Sequence, residues 1–552
     1  MSVPKNIVLL SDGTGNSAAK PFLTNVRRLR LAIDTEPPAA TSTDPQIVCY
    51  HDGVGTGSFR PLVLLGLAFG IGTARIVKDL YAFLCRNYQE GDKIFIFGFS
   101  RGAFAARLLA DLIVGCGVVS PGPTEATLAD RVEHAYSVSR RDAARRAIAG
   151  RWLLVAGHLL RLNSWLFHRN ETTFASTDRR GFQIDQRRPD IAFVGLWDTV
   201  DAYGLPIDEL KWAIDRFIWP MTFVSRPLDR KIGAACHALA LDEDRPAFRP
   251  VLWSDDESFG LNKRLRQVWF AGAHADVGGG YPEDGLSYVS LQWMMDEAEN
   301  AGLRFRPDLK LGYSGRIDVQ APHHDPRTGL AGYYRYGPRS VDALSSDRRH
   351  QVSVKRPVIH QSVIDRIRRR QVAYAPIGFP RIPSATVNPD KGYLVQERDP
   401  QMAFSHEALR IGHSIEAMGG FLERLAAMRS IETAVFRRQF AYLTTVALTA
   451  WMIILPALDR IPAMPSWFHH SALADAPLFS DVAWWVSWSI GLLGRLGAVP
   501  GWATPWASSF AAHPLAFITG TAGALLFFVR VSPRIQDQIL ERTEHAWRML
   551  KD

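Results

Sequence analysis

The stretch "KIFIFGFSRGAFAARLLADLIVG", Lys93–Gly115, decides the fold. An apolar run, Ile94–Phe97, stops at Gly98, and a helical pattern opens at Ala103. A short β-branched and aromatic run closed by glycine reads as a buried strand, and the apolar spacing after it as a helix. Between them, Gly98-Phe99-Ser100-Arg101-Gly102 matches G-x-S-x-G, the pattern of a serine on a sharp strand-to-helix turn. Glycine is needed on both sides because a side chain there would strike the neighbouring strand or helix. Helix capping is the competing account of Ser100. A capping box would place Glu or Gln at position 103, where Ala103 stands, and capping gives no role to the paired glycines. Ser100 therefore reads as an exposed nucleophile, with the N–H of Arg101 directed at an oxyanion.

Working outward, similar runs recur at Ile7–Leu10, Ile47–Tyr50, Ile191–Leu196 and Val268–Ala271, each followed closely by Gly, Asp or His. Helical spacing lies between them, as in Ile76–Tyr88 and Leu286–Ala301. This alternation predicts an α/β fold with a mostly parallel sheet, whose ligands bind at the carboxyl ends of the strands.

A nucleophilic serine needs a base and an orienting acid, in the order Ser, Asp or Glu, His for this kind of turn. The run "IAFVGLWD" ends at Asp198, and "QVWFAGAHADVGGGY" leads to His274. Asp201 is the alternative acid; His237, in "CHALALDEDR", and His360, in "VIHQSV", are alternative bases. His274 is preferred because it closely follows a strand. The N-terminal "LLSDGTGN" admits three readings. An aspartyl-phosphate site would want an aspartate where Leu10 stands. A metal site joining Asp12, His274 and Asp276 has no supporting ligand spacing. The favoured reading is an oxyanion loop in which Gly13, Thr14 and Gly15 bring backbone N–H groups to the serine. Asp12 and Asp276 are expected to support these loops. "HDGVGTGSF" (His51–Phe59) lacks the Gly-Lys-Ser/Thr ending of a phosphate loop. No metal or cofactor is expected.

The chain has 552 residues, 47% hydrophobic and 22% charged, which excludes a disordered chain. The net charge of +9 suits an anionic partner, but with no lysine-rich run and no nucleic-acid signature, nucleic acid is not expected. Four cysteines without a CxxC pair read as free thiols. The N-terminus shows no secretory signal. Residues 1–305 are expected to form the α/β domain, and 306–430 a loop-rich extension packed on it. Residues 431–552 are expected to form a helical, membrane-associating region. There, 439–458 and 511–529 are uncharged over lengths that suit a bilayer core. Arg437 and Arg438 before the first, and Arg530 and Arg534 after the second, predict a two-span hairpin with both ends, and the α/β domain, on the cytoplasmic side. The Trp-rich 482–494 reads as interfacial, and 151–168 as a lid, a membrane-surface helix or a plain packed helix.

Taken in order, "SDGTGN", "GVGTG", "GFSRGAFAAR", "GLWDTVDAYG", "HALALDEDRPAF" and "WFAGAHADVGGGY" resemble the α/β-hydrolase domain family that includes the type VI secretion phospholipase effectors. The resemblance covers roughly residues 5 to 300. It implies an α/β-hydrolase-like fold and a Ser-Asp-His triad, carried onto Ser100, Asp198 and His274. It further implies a lipase-like ester hydrolase acting on membrane phospholipid, with an antibacterial effector role and delivery by a signal-independent route. The expected partners are a phospholipid membrane and a secretion or immunity protein. The alternatives are a carboxylesterase or thioesterase on a soluble acyl substrate, or a non-catalytic membrane-anchored binding protein.

Overall fold

Strand β1 (Asn6–Ser11) is buried along its whole length, and its alternating side chains feed two different layers. Ile7 and Leu9 join Ile94 and Ile96 of β3 (Lys93–Phe99) against Val77, Leu80 and Leu84 of α2 (Ala68–Asn87) and Phe104 and Leu109 of α3 (Arg101–Cys116). Val8 and Leu10 join Phe95 and Phe97 on the other face, against Val26 and Leu29 of α1 (Asn25–Ala32) and Met294 of a later helix. Strands buried on both faces carry continuous apolar runs, and that is why these runs were readable as strands. The structure, a computed structural model, describes residues 3–13, 22–36, 44–53, 68–156, 186–200, 228–254, 264–328, 334–347, 352–354, 357–368, 374, 376–378, 394–396, 421–458, 484–485, 488–489 and 514–548.

Among the described residues the main sheet has eight strands in the order β10-β9-β8-β7-β6-β3-β1-β2. The others are β2 (Gln46–His51), β6 (Ile191–Trp197), β7 (Ile232–Ala240), β8 (Leu265–Phe270), β9 (Val358–His360) and β10 (Leu394–Gln396). Every pairing in it is parallel, as the α/β reading expects. A two-residue pair, β4 (Val118–Val119) with β5 (Gln186–Arg187), stands apart. Strand β7 escaped the sequence reading. Its "IGAACHALA" is rich in alanine, a good helix former that is depleted in strands, so the local pattern does not announce it. It is nevertheless central, between β6 and β8.

The chain runs from β1 outward to β2, then returns to place β3 on the other side of β1. Such a reversal opens a crevice at the carboxyl ends of the two strands. Asp12 follows β1 and Ser100 follows β3, so both stand at that crevice. The remaining helices of this region are α4 (Glu125–Ala156), α5 (His274–Gly278), α6 (Gly285–Asn300), α7 (Pro307–Ser314), α8 (Val341–Ser345) and α9 (Gln361–Arg368). Asn25, at the start of α1, ties α1 to α5 and α6 by donating to the Val277 and Ser287 carbonyls and to Ser290 Oγ. Cys85, Cys116 and Cys236 are buried, Cys49 is half-buried, and all four are free thiols.

The chain divides into two compact units, residues 1–326, 338–419 and 550–552 in the first and 327–337 and 420–549 in the second. The second contains α10 (Phe421–Leu458), α11 (Pro514–Leu526) and α12 (Ser532–Arg548). Here the expectation of a two-span hairpin is corrected. Among the described residues, no helix is long and apolar enough to cross a membrane. Arg438, taken from sequence as a cytoplasmic flank, is buried inside the helical unit. It donates to Gln536 and Ser532 and lies 4.0 Å from the centre of the Tyr336 ring. Helix α11 runs on through a π-helical stretch, Phe527–Val531, into α12. It packs closely on α10, where a Cβ at Gly520 would come within 2.6 Å of Met452 Sδ. Most of 482–494, and the part of 151–168 beyond Ala156, lie outside the described residues.

The seating of α3 on the sheet rests on Gly102. A Cβ there would lie 2.3 Å from the Ser11 carbonyl oxygen and 2.4 Å from that of Asp12. Neither is a flexible group. We expect Gly102→Ala to lower stability by about 1–3 kcal/mol or more, the scale of overpacking, read as a drop in the midpoint of thermal unfolding followed by circular dichroism.

Candidate active site

Ser100 joins β3 directly to α3 with backbone angles φ 58° and ψ −124°. A side chain at positive φ is strained, at about 1–3 kcal/mol, and persists only where its surroundings over-determine it. Those surroundings are visible. A Cβ at Gly98 would lie 2.5 Å from the Gly102 carbonyl oxygen, so the turn closes only with glycine at both positions. The Ser100 N–H donates to the Trp197 carbonyl at 3.0 Å, and its own carbonyl accepts the Phe104 N–H at 3.2 Å. The Ser100 side chain makes no capping bond, so it does not serve as the N-cap acceptor of the helix. Arg101 occupies the first helical position, where backbone N–H groups lack intrahelical acceptors.

The other non-glycine residue with positive φ among the described residues is Asp198, at φ 38°. It follows β6 and is fully buried. Its Oδ2 lies 2.6 Å from His274 Nδ1, and its Oδ1 accepts the Ala240 N–H at 3.0 Å. Burial pushes this carboxyl up, but the Arg339 guanidinium and the His274 bond outweigh it and hold the group well below the usual carboxylate range. His274 starts α5, just beyond β8. With Nδ1 turned to the carboxylate, the neutral ring carries its lone pair on Nε2, which is buried and makes no hydrogen bond. The ring is walled by Phe99, centroid 4.7 Å away, and Phe248, at 5.1 Å. Phe99 immediately precedes Ser100, so the imidazole packs against the serine turn itself.

The other predicted residues fall as follows. Asp12 is buried. It accepts from Thr24 Oγ1 at 2.6 Å, Tyr50 Oη at 2.7 Å and the Gly13 N–H at 2.6 Å. Burial raises its carboxyl despite these bonds. The Gly13 N–H, assigned from sequence to the oxyanion, is thus taken up by Asp12. Thr14, Gly15 and Asp201 lie outside the described residues. Asp276 accepts the Ala273 N–H at 2.9 Å and pairs with His324 Nδ1 at 2.6 Å. Asp12, His274 and Asp276, weighed above as metal ligands, each hold protein partners. Among the described residues no group of three or more His, Cys, Asp or Glu could hold a metal ion. His237 is fully buried in β7, where its Nε2 accepts the Thr199 N–H at 3.1 Å. Burial and nearby Arg107 push its imidazole down to about 3, so it stays neutral and braces the turn that carries Asp198. His360 ends β9, stacked on Phe270 with centroids 4.6 Å apart. Strand β9 lies four positions from β3 in the sheet, about 19 Å at the usual strand spacing of about 4.8 Å.

Several groups at the site escaped sequence reasoning. Arg339 forks onto both oxygens of Asp198, at 2.7 and 2.9 Å. Glu243, fully buried, accepts the His274 N–H at 3.2 Å and is gripped by Arg245 at 2.7 and 2.8 Å. Burial would raise the Glu243 carboxyl, but Arg245 brings it below its ordinary value. Glu243 stands in the quoted "HALALDEDRPAF", and its position after an apolar run was the available signal. Arg339 had none: it is one of many arginines in a stretch with weak periodicity.

The site thus sets a strained serine at a strand–helix turn beside a buried histidine–aspartate pair, in an α/β fold of parallel strands. The chain belongs to the type VI secretion system (T6SS) phospholipase effector Tle1-like family, whose catalytic domain matches residues 5–297. It is 28% identical over 265 residues to the uncharacterized protein YEL023C of Saccharomyces cerevisiae, covering 45% of this chain and 33% of the yeast protein. The chain thus spans about a third of that relative's length. Among solved structures it is similar to an uncharacterized protein from Pseudomonas aeruginosa, at 18% identity and TM-score 0.31. That match covers 98% of this chain and 66% of the other. It is also similar to the Tle1 effector bound to the VgrG spike of the type 6 secretion system, at 18% identity and TM-score 0.27, covering 51% and 52%.

His324 supplies a pH-dependent brace to Asp276, two residues after His274. Its ring pairs with Asp276 and, at 3.2 Å, with Glu283, and stacks on Tyr281 with centroids 4.0 Å apart. The Asp276 bond, aided by Glu283, raises its pKa despite partial burial. A histidine whose folded pKa exceeds its unfolded value of about 6.5 contributes stability below that pH and loses it as pH rises through the folded value. Thermal midpoints of wild type and His324→Gln should therefore differ most below the unfolded value of about 6.5, wild type higher, and converge as pH rises through the folded value.

Proposed function

We propose that the chain is a serine ester hydrolase of phospholipids, with Ser100 as nucleophile, His274 as general base and Asp198 as its orienting acid. The observation that carries this reading is the pairing of a strained, glycine-flanked Ser100 with a buried His274–Asp198 bond at the carboxyl end of one parallel sheet. Membership of a phospholipase effector family supports the substrate class.

In this mechanism Ser100 Oγ attacks the acyl carbonyl carbon while His274 Nε2 takes its proton. The imidazolium is stabilised by Asp198 through Nδ1–H. The oxyanion is held by the Arg101 N–H. Collapse of the tetrahedral intermediate expels the lysolipid alkoxide, which receives the proton from His274 and leaves the acyl group on Ser100. Water, deprotonated by His274, then releases the fatty acid. Phe99 and Phe248, packed on the imidazole, keep bulk water from the Asp198–His274 bond and strengthen it. Delivery by a T6SS, with a spike or immunity protein as partner, is the role that the family suggests.

The test uses the full chain and mixed phospholipid vesicles, with free fatty acid as readout. Ser100→Ala should abolish release; release at the wild-type rate would remove Ser100 from the mechanism. Asp198→Asn should lower kcat by about 10⁴-fold, the scale seen when a triad acid becomes an amide. The amide nitrogen would face a donor on either His274 or Arg339.

A further inference from the structure

We propose that Arg339 is a positioning residue of the acid–base pair, so that the working site comprises four side chains, the fourth supplied from beyond the matched catalytic domain. The inference rests on the serine hydrolase reading. The matched segment ends at residue 297, and Arg339 lies 42 residues further on.

The geometry carries the assignment. Each Asp198 oxygen receives two donors. Oδ1 takes the Ala240 N–H at 3.0 Å and Arg339 Nη1 at 2.7 Å; Oδ2 takes His274 Nδ1 at 2.6 Å and Arg339 Nη2 at 2.9 Å. A carboxylate filled in this way cannot rotate about its Cβ–Cγ bond without breaking a charge-assisted bond. The oxygen aimed at His274 is thereby fixed. Arg339 also donates to the carbonyls of Ala240, the last residue of β7, and Phe248. The Phe248 ring packs on His274, so one guanidinium holds both the acid and a wall of the base. Its own backbone is pinned: Val341 N–H donates to the Gly378 carbonyl at 3.1 Å, and a Cβ at Gly378 would come within 2.5 Å of the Arg339 carbonyl oxygen.

A fully buried Asp198 with only a neutral imidazole beside it would favour its protonated form. An arginine, which stays charged at any working pH, keeps the acid ionised without competing for the proton. The same cation offsets part of the field that the carboxylate exerts on an imidazolium. Other charged or titratable groups around the pair are Glu243 with Arg245, Asp276, and neutral His237 with Arg107 beyond it. Removing Arg339 takes a positive charge from the buried Asp198–His274 pair. The pair should then take up its proton more readily, and the acid limb of kcat/KM should move to higher pH.

The experiment compares full-length wild type, Ser100→Ala, Arg339→Lys and Arg339→Met. Three readouts are taken: thermal unfolding, pH profiles of vesicle hydrolysis, and the proton NMR signal of the His274 Nδ1–H, assigned by its loss in His274→Ala. In Arg339→Met we expect kcat to fall by about 10²-fold, the cost of a misplaced catalytic group, with KM nearly unchanged. The acid limb should shift to higher pH and the Nδ1 proton signal should move from its wild-type position. Arg339→Lys, charged but unable to fork, should fall between. Wild-type kcat in Arg339→Met overturns the proposal. So does lower activity with an unmoved pH limb and an unmoved proton signal, the mark of a merely structural role. If Arg339→Met does not fold, wild-type kcat in Arg339→Lys overturns it. If wild type shows no Ser100-dependent hydrolysis, the hydrolase reading fails separately, and the proton signal alone still decides whether Arg339 positions His274.

Discussion

A chain that passes from strand to helix within one residue has no room for a side chain on either flank of the turn. Most of this site follows from that constraint. With Gly98 against the Gly102 carbonyl and Gly102 against the carbonyls of Ser11 and Asp12, the start of α3 is driven onto the ends of β1 and β3. Ser100 is left at φ 58°, a conformation its own chemistry disfavours. The strain is sustained by packing on both faces of the sheet, and it sets the start of α3 at the crevice between β1 and β3. The same apposition brings the Asp12 loop, with its buried carboxyl, alongside the serine.

A second constraint is electrostatic. Asp198 and Glu243 are carboxylates with no access to water, an arrangement that costs several kcal/mol per ion unless each is paired. Arg339 and Arg245 answer them one for one. The arginines differ in origin. Arg245 lies two residues from its partner, while Arg339 comes from 141 residues beyond Asp198. The chain beyond the matched domain therefore completes the surroundings of the site: Arg339 reaches Asp198, His324 reaches Asp276, and Tyr374 reaches Asp242, which also holds the Gly272 N–H just before His274.

The sheet was legible wherever strands were apolar on both faces, because a short β-branched and aromatic run closed by glycine suits a doubly covered strand far better than a helix or a loop. Five such runs map onto β1, β2, β3, β6 and β8. Strand β7 was hidden by its alanines, although Ala235, Ala238 and Ala240 are fully buried there. The C-terminal helices misled for a related reason. An apolar stretch bounded by arginine has the same local pattern whether the arginine meets headgroups or, as Arg438 does, a half-buried glutamine and serine and a buried tyrosine ring.

What the sequence determined by itself was local and periodic. It specified the strand–helix alternation, the glycine-flanked serine, and the polar residues that follow each strand, because backbone sterics and apolar spacing act over a few residues. What only the tertiary structure decided was which of those polar residues meet. His274 rather than His360 or His237 faces Asp198, because strand order carries β9 away and His237 lies within β7 rather than beyond its end. His237 spends its lone pair on the Thr199 backbone, and His360 stacks away on Phe270. Arg339 was undecidable from sequence for the same physical reason. A buried charge selects its partner by proximity after folding, and proximity across 141 residues leaves no mark in the local pattern.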